Sequence, residues 1–175
     1  MEQKLNLKTI GIILAWVAVV AGIVYFVPLN KIIPSGVIED EKKDVVNAKL
    51  VADHYEYDFG TIQITGGKAK HSYRLKNEGL DSLRISKVFT SCMCTTAQVK
   101  MTDGKVYGPF GMSGHGSDTS TEIAGPAGQE VELTIEFDPM AHGPDAIGPI
   151  QRVVYVKTDV AKEPLGVSFT ANVVK

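Results

Sequence analysis

The chain has 175 residues, with 18 basic and 20 acidic side chains and a net charge of −2. Because this balance leaves no basic surplus, nucleic acid is not an expected partner. The length fits one domain with a tether, and the 17 glycines and 8 prolines favour a turn-rich β protein over a helical one.

The N-terminal region is predicted to hold a membrane anchor. Residues 9–29 contain no charged side chain, and about 20 apolar residues suffice for a helix to cross a bilayer core. Lys4 and Lys8 precede this run, which favours a cytoplasmic N-terminus at residues 1–8 and an extracytoplasmic domain after the anchor. A cleaved signal peptide is the alternative, although the apolar run continues past its best cleavage site at Ala18–Gly22. We therefore expect a single-pass protein of the cell membrane.

A linker or stalk is predicted over residues 30–52, because Pro34 and Gly36 oppose a helix and residues 39–44 carry mixed charges. From residue 53 to 175, short alternating runs are separated by turn residues, which is typical of a β-sandwich or barrel. In the clearest run the odd-numbered residues from Val131 to Phe137 are apolar, so they are expected to face a core.

The regular spacing breaks at Lys100–Gly128, a segment rich in Gly, Ser, Thr and Asp. Connections of this length in compact domains are usually functional or disordered. We predict a long insertion loop over residues 100–128, in which Val106–Tyr107 and Thr121–Ile123 could pair as a small hairpin.

Five motifs occur in order along the β region: Tyr57–Ile62, Leu75–Ile85, Ser91–Thr95, Phe137–Pro139 and Val156–Asp159. Together they resemble the bacterial domain of unknown function 1573 family over about residues 53–174. The resemblance implies an immunoglobulin-like β-sandwich of about seven strands that is exported and often attached to a membrane. It implies no established activity. This chain departs from the family pattern at Met93, where a glycine is usual, and in the long segment 100–128.

The Ser91–Thr95 motif holds the chain's two cysteines, Cys92 and Cys94. In an extended strand their side chains would share one face, with Cα atoms about 6.5 Å apart. That separation is near the upper limit for a disulfide, so a bridge would require a kink. Two adjacent thiols would suit a soft metal ion, although an oxidising compartment disfavours a permanently reduced pair. A structural role, metal binding and redox or disulfide chemistry all stay open.

Thioether and imidazole side chains could complete a metal site, and the predicted ligands are Cys92, Cys94, Met93, Met112, His115 and His142. Sulfur and imidazole donors in this combination favour copper over zinc. Each residue also has an ordinary interpretation, because methionine fills gaps in cores and His142 follows a predicted turn. His71, beside Tyr73 on a strand face, is expected to be a packed or surface histidine.

Two hypotheses for function follow. The first is a membrane-anchored extracytoplasmic binding or scaffolding module without catalytic activity, whose protein partner contacts an exposed sheet edge or residues 100–128. The second is an extracytoplasmic copper-binding or thiol-redox protein that uses Cys92–Met93–Cys94. A hydrolase is disfavoured, because Ser117, Asp118 and His115 lack the sequence context of a catalytic nucleophile.

Overall fold

The computed structural model describes the backbone of residues 7–26, 46–116 and 118–175, with side chains in the N-terminal helix described from residue 11 to residue 21. The chain divides into two compact units, Met1–Asp44 and Val45–Lys175.

The N-terminal unit contains helix α1, which spans Leu7–Phe26. Its described side chains, residues 11–21, are exposed. Among the residues that the structure describes, no helix has both the length and the apolar character needed to cross a membrane. The anchor over residues 9–29 stays a prediction, and residues 1–6, 27–29 and most of the predicted linker, 30–45, lie outside the described part of the chain.

The second unit is an all-β domain of ten strands, which confirms the all-β part of the predicted fold class. The strands are β1 (Leu50–Ala52), β2 (Glu56–Gln63), β3 (Ala69–Asn77), β4 (Leu83–Thr90), β5 (Thr95–Met101), β6 (Val106–Phe110), β7 (Ser120–Gly125), β8 (Glu130–Phe137), β9 (Gly148–Thr158) and β10 (Leu165–Val174). They exceed the expected seven because the predicted linker and the predicted insertion loop both contribute strands.

The strands form two five-stranded sheets, ordered β1-β3-β8-β5-β6 and β2-β10-β9-β4-β7. Neighbours are antiparallel except β2, which runs parallel to β10. Alternating apolar side chains from both sheets form the core, as expected from the alternation at Val131–Phe137, whose odd-numbered residues are buried. The largest side chains in the core include Tyr73 and Phe169, each at most 1% exposed.

The segment 100–128 differs from the predicted loop. Strand β6 adds to β5 in one sheet, while β7 adds to β4 in the other, so the predicted hairpin between them is wrong. Each of these strands buries a large apolar side chain, Phe110 in β6 and Ile123 in β7. Burial against the shared core therefore favours extending the two sheets over a separate hairpin.

The folded domain also begins earlier than the predicted boundary at residue 53. Strand β1, which the sequence analysis assigned to the linker, pairs with β3 from Leu50 to Ala52. Just before it, the Asn47 carbonyl accepts hydrogen bonds from the backbone of Leu80 and Asp81. A Cβ on Gly79 would overlap this carbonyl, so the close approach requires the glycine of the Leu75–Ile85 motif.

Asn77, at the end of β3, joins three parts of the chain. Its side-chain amide donates to the carbonyls of Asp81 and Gly125, each at 2.8 Å. Its side-chain oxygen accepts from the backbone N–H groups of Gly79 and Lys49, at 3.0 and 3.2 Å. Because Asn77 is 1% exposed, these backbone groups have little access to water as a substitute partner.

Replacing Asn77 with alanine should lower the free energy of unfolding by about 2 to 4 kcal/mol, because several buried polar groups lose their partner. Chemical denaturation of Asn77→Ala against the native chain measures the change. Asn172→Ala is the matched control, since Asn172 is exposed on β10. Equal effects of the two substitutions would contradict a structural role for Asn77.

Candidate functional site

Cys92 and Cys94 lie in a tight turn between β4 and β5. The backbone N–H of Thr95 donates to the Cys92 carbonyl at 3.2 Å, and the two Cα atoms are 5.3 Å apart. The two sulfurs are in disulfide contact. The turn is the kink that the sequence analysis required for a bridge, and the extended conformation with its wider spacing is wrong.

Hydrogen bonds from three directions hold this turn. The buried hydroxyl of Thr90 lies 2.8 Å from the Cys92 carbonyl oxygen and 3.1 Å from that of Thr95. The Asp138 N–H, from the segment after β8, donates to the Cys94 carbonyl at 2.8 Å. Ser91 exchanges two bonds with Val153 of β9: its N–H donates to the Val153 carbonyl, and its hydroxyl oxygen accepts from the Val153 N–H.

The residues of the turn alternate in exposure. Cys92 is 8% exposed and Cys94 is 2% exposed, whereas Met93 between them is 57% exposed. The sulfurs therefore belong to the edge of the core, while the Met93 side chain is available to a partner or an ion.

Two basic side chains contact the sulfurs. His142 Nε2 lies 3.2 Å from Cys92 Sγ, and Arg152 Nε donates to Cys94 Sγ at 3.3 Å. Positive groups next to a cysteine stabilise its thiolate. After reduction, each sulfur would therefore have its own cationic or proton-donating neighbour, which favours both thiol chemistry and soft-metal ligation.

The structure brings together three of the six predicted ligands. The donor atoms of Cys92, Cys94 and His142 all lie within 4.8 Å of one another. His115 is exposed in the turn after Met112 and is not part of this group. Met112 pairs with Thr90 through an isolated parallel bridge, which places its backbone near the base of the cysteine turn.

Arg152 was not predicted from the sequence. It lies on β9, 58 residues after Cys94, and none of the motifs near the cysteines includes it. The register of β9 against β4, which pairs Val154 with Thr90, is what carries Arg152 to the level of the turn. Only knowledge of that pairing could have identified it.

A cavity of about 340 Å³ adjoins the sulfur site. His142 and Arg152 line it together with apolar side chains that include Phe137, Ile147 and Ile150. A small apolar space beside two sulfurs could accept the side chain of a bound segment.

A second surface feature lies where β2 faces β3. The ring of Tyr57 stacks on His71 with centroids 3.5 Å apart, and Phe59 contacts Tyr57 edge-on at 4.9 Å. Phe59 also packs against the core residue Phe169. The aromatic alternation of Tyr57 and Phe59 thus continues from the core to the surface, where Tyr57 is 37% exposed.

The architecture defines a two-sheet, all-β sandwich with a hydrogen-bonded Cys-Met-Cys turn where the chain passes from one sheet to the other. A family described as "Protein of unknown function (DUF1573)" matches residues 50–105. The resemblance predicted from the sequence is confirmed over that part of the chain, which includes the cysteine turn. No match was found among curated proteins.

One solved structure supports the fold alone, and two others are similar at lower TM-scores. A protein of unknown function from Porphyromonas gingivalis W83 is 17% identical, with a TM-score of 0.50 over 71% of this chain; the match covers 46% of that protein. The ASH/PapD-like domain 7 of human CEP192 is 16% identical (TM-score 0.44), covering 74% of this chain and 87% of that one. The CooA pilin subunit of enterotoxigenic Escherichia coli is 12% identical (TM-score 0.43), covering 74% and 99%.

Proposed function

We propose that the chain is a membrane-anchored, non-catalytic binding module outside the cytoplasm, which recruits an extended segment of a partner protein to the free edge of β2. The observation that carries this proposal is that β2 is an eight-residue strand at the end of its sheet. An exposed edge presents backbone groups with which another strand can pair.

The other sheet edges are less suited to strand addition. Strand β1 has only three residues, and β6 contains Pro109, which lacks a backbone N–H to donate. Strand β7 has six residues but presents no aromatic surface comparable to that of β2. Length and side chains together therefore favour β2.

The hydrogen-bonding directions of β2 follow from its pairing with β10. The Tyr55 carbonyl accepts from Ser168, and the Ile64 N–H donates to the Val174 carbonyl, each at 2.8 Å. Because successive residues of a strand direct their backbone groups to opposite sides, Thr61 and Gln63 present theirs away from β10. These are the groups that an added strand would meet.

The side chains of β2 define the chemistry of the partner. Exposed Tyr57 with half-buried Phe59 offers an aromatic contact, which is enriched in protein interfaces. Glu56 and Asp58 are exposed and acidic, and opposite charges on neighbouring strands attract. The expected occupant is therefore an extended segment in which basic and apolar side chains alternate.

Thr61→Pro should abolish capture of the partner, because it removes an outward N–H without removing a bond to β10. Thr61→Val retains that N–H and should preserve capture. Both variants are compared with the native chain by cross-linking on the membranes of the source cells, with folding checked by circular dichroism. Equal capture by all three chains would contradict recognition through the β2 edge.

Membrane attachment is part of the same proposal. It is supported by the uncharged run at residues 9–29, which is long enough for a helix that crosses a bilayer core. The lysines before the run favour a cytoplasmic N-terminus.

The native chain should remain in the membrane pellet after alkaline carbonate extraction, whereas a chain carrying both Val17→Asp and Val20→Asp should be extracted. Each aspartate at the centre of a spanning helix costs about 3 kcal/mol. Val17→Leu with Val20→Leu is the matched control and should stay in the pellet. Release of the native chain by carbonate would contradict the anchor.

A second candidate function is favoured by the contact between His142 Nε2 and Cys92 Sγ at 3.2 Å. Two thiolates and one imidazole are ligands that Cu(I) prefers, and exposed Met93 could add a thioether. In the disulfide form, a thiolate of a partner protein would instead attack Cys92 Sγ and form a mixed disulfide; the Cys92–Cys94 bond breaks, and Arg152 stabilises the released Cys94 thiolate. The redox state therefore decides between metal binding and exchange.

The reduced chain should bind about one equivalent of Cu(I) under anaerobic conditions, in competition with a chromophoric chelator. Cys92→Ser and His142→Gln should each weaken binding about tenfold or more, because each removes one donor. His115→Gln should not, since His115 lies outside the ligand group. An unchanged Cu(I) affinity in Cys92→Ser would contradict copper binding at this site. Thiol counts with and without reductant would then show whether the cysteines can still take part in thiol–disulfide exchange.

A further inference from the structure

Two histidines face each other where the chain crosses from β1 to β2. His54 lies in the short segment between these strands, and His71 lies on β3. Their Nε2 atoms are 2.7 Å apart, with the rings inclined at 70°. At this separation one nitrogen donates a hydrogen bond to the other, so both Nε2 atoms are directed at the same position.

The carboxylate of Asp53 fixes the orientation of His54. Asp53 Oδ1 lies 2.8 Å from His54 Nδ1 and accepts the backbone N–H groups of His54 and Arg74, both at 3.0 Å. Although burial acts to raise the pKa of Asp53, the Arg74 amide and His54 hold it below its ordinary value. The Asp53 carboxylate accepts a hydrogen bond from His54 Nδ1–H, and in this tautomer the lone pair of His54 Nε2 is directed towards His71.

His71 is held by aromatic rings. Tyr57 stacks on it, and Tyr73 and Phe59 contact it edge-on. These contacts fix the plane of the His71 ring and keep its Nε2 atom directed at His54.

We propose that His54 and His71 bind a divalent transition-metal ion through their Nε2 atoms, with Asp53 orienting His54. A carboxylate that accepts the second N–H of a histidine is the usual companion of a metal-bound imidazole. Zinc is the ion that best fits this donor set, because it accepts nitrogen ligands and has no geometric preference of electronic origin. The ion replaces the proton of the hydrogen bond between the two rings.

The required movement is small. Zinc–nitrogen bonds of about 2.0–2.1 Å in tetrahedral geometry separate two ligand nitrogens by about 3.3 Å, so the rings must part by about 0.6 Å. The His54 side chain is 36% exposed, which allows this adjustment and leaves water to fill the remaining positions. The bound ion would fasten the β1–β2 crossover to β3, and this role is independent of any partner at the β2 edge.

The test is titration of the purified full-length chain, without a histidine tag, with Zn²⁺ against a chromophoric chelator. We expect about one equivalent to bind and the melting temperature to rise with the Zn²⁺ concentration, as for any ligand of the folded state. His54→Gln and His71→Gln should each lower the affinity about tenfold or more, and Asp53→Asn should also lower it.

Two controls separate this site from the sulfur site and from exposed imidazoles. The titration uses the disulfide form, in which Cys92 and Cys94 offer no thiolate to the ion. Cys92→Ser with Cys94→Ser, and separately His115→Gln, should then leave the Zn²⁺ affinity unchanged. Zinc should also shift the Nε2 resonances of both His54 and His71 in the nitrogen NMR spectrum of the native chain, a readout that needs no variant. Binding that survives His54→Gln, is lost with the cysteines, or is absent at about 1 mM Zn²⁺ would overturn the proposal.

Discussion

One buried hydroxyl organises the cysteine turn. Where the chain leaves β4 in one sheet for β5 in the other, the Thr90 hydroxyl lies within hydrogen-bonding distance of the carbonyls of Cys92 and Thr95 and shares its one proton between them. A chain that passes between the sheets of a sandwich must not leave buried polar groups unpaired, because each buried polar group without a hydrogen-bond partner costs about 1 to 3 kcal/mol. The positions of Cys92 and Cys94, and hence their contacts with His142 and Arg152, depend on this arrangement.

The sheet built around that turn also relates the two surface features. In the register of the second sheet, Phe169 pairs with Arg152 on one side and with Tyr57 on the other. Arg152 contacts a sulfur, while Tyr57 lies at the free edge of β2. Arg152, Phe169 and Tyr57 therefore lie side by side on three neighbouring strands. The pairing of these strands positions both the sulfur site and the aromatic surface.

The parts of the fold that could be predicted are those in which one local signal suffices. Alternation at Val131–Phe137 predicted a half-buried strand, because side chains of a strand point to opposite faces in turn. The same rule does not predict β6 and β7. These strands are short, and Gly108, Pro109 and Gly125 leave them too few alternating apolar residues. Their partners, β5 and β4, are chosen by burial in a core that no local pattern describes.

The sites divide in the same way. His142 could be predicted as a candidate ligand, because histidine is a common ligand and it follows the family's Phe-Asp-Pro motif, and the structure places it beside Cys92. The contacts of Arg152 and of the pair of His54 and His71 could not be predicted, since each depends on strand register between distant segments. The stacking of His71 on Tyr57 agrees with the prediction of a packed or surface histidine. That prediction did not include the contact with His54.

The placement of β6 and β7 has a practical consequence for protein engineering. Shortening residues 100–128 would remove β6 from one sheet and β7 from the other, and each of these is the outermost strand of its sheet. The newly bared backbones of β4 and β5 would then be open to pairing between molecules, a recognised route to aggregation. Trimming elsewhere, or grafting at the exposed turn around Gly104, would keep β6 and β7 as the outer strands beside β5 and β4.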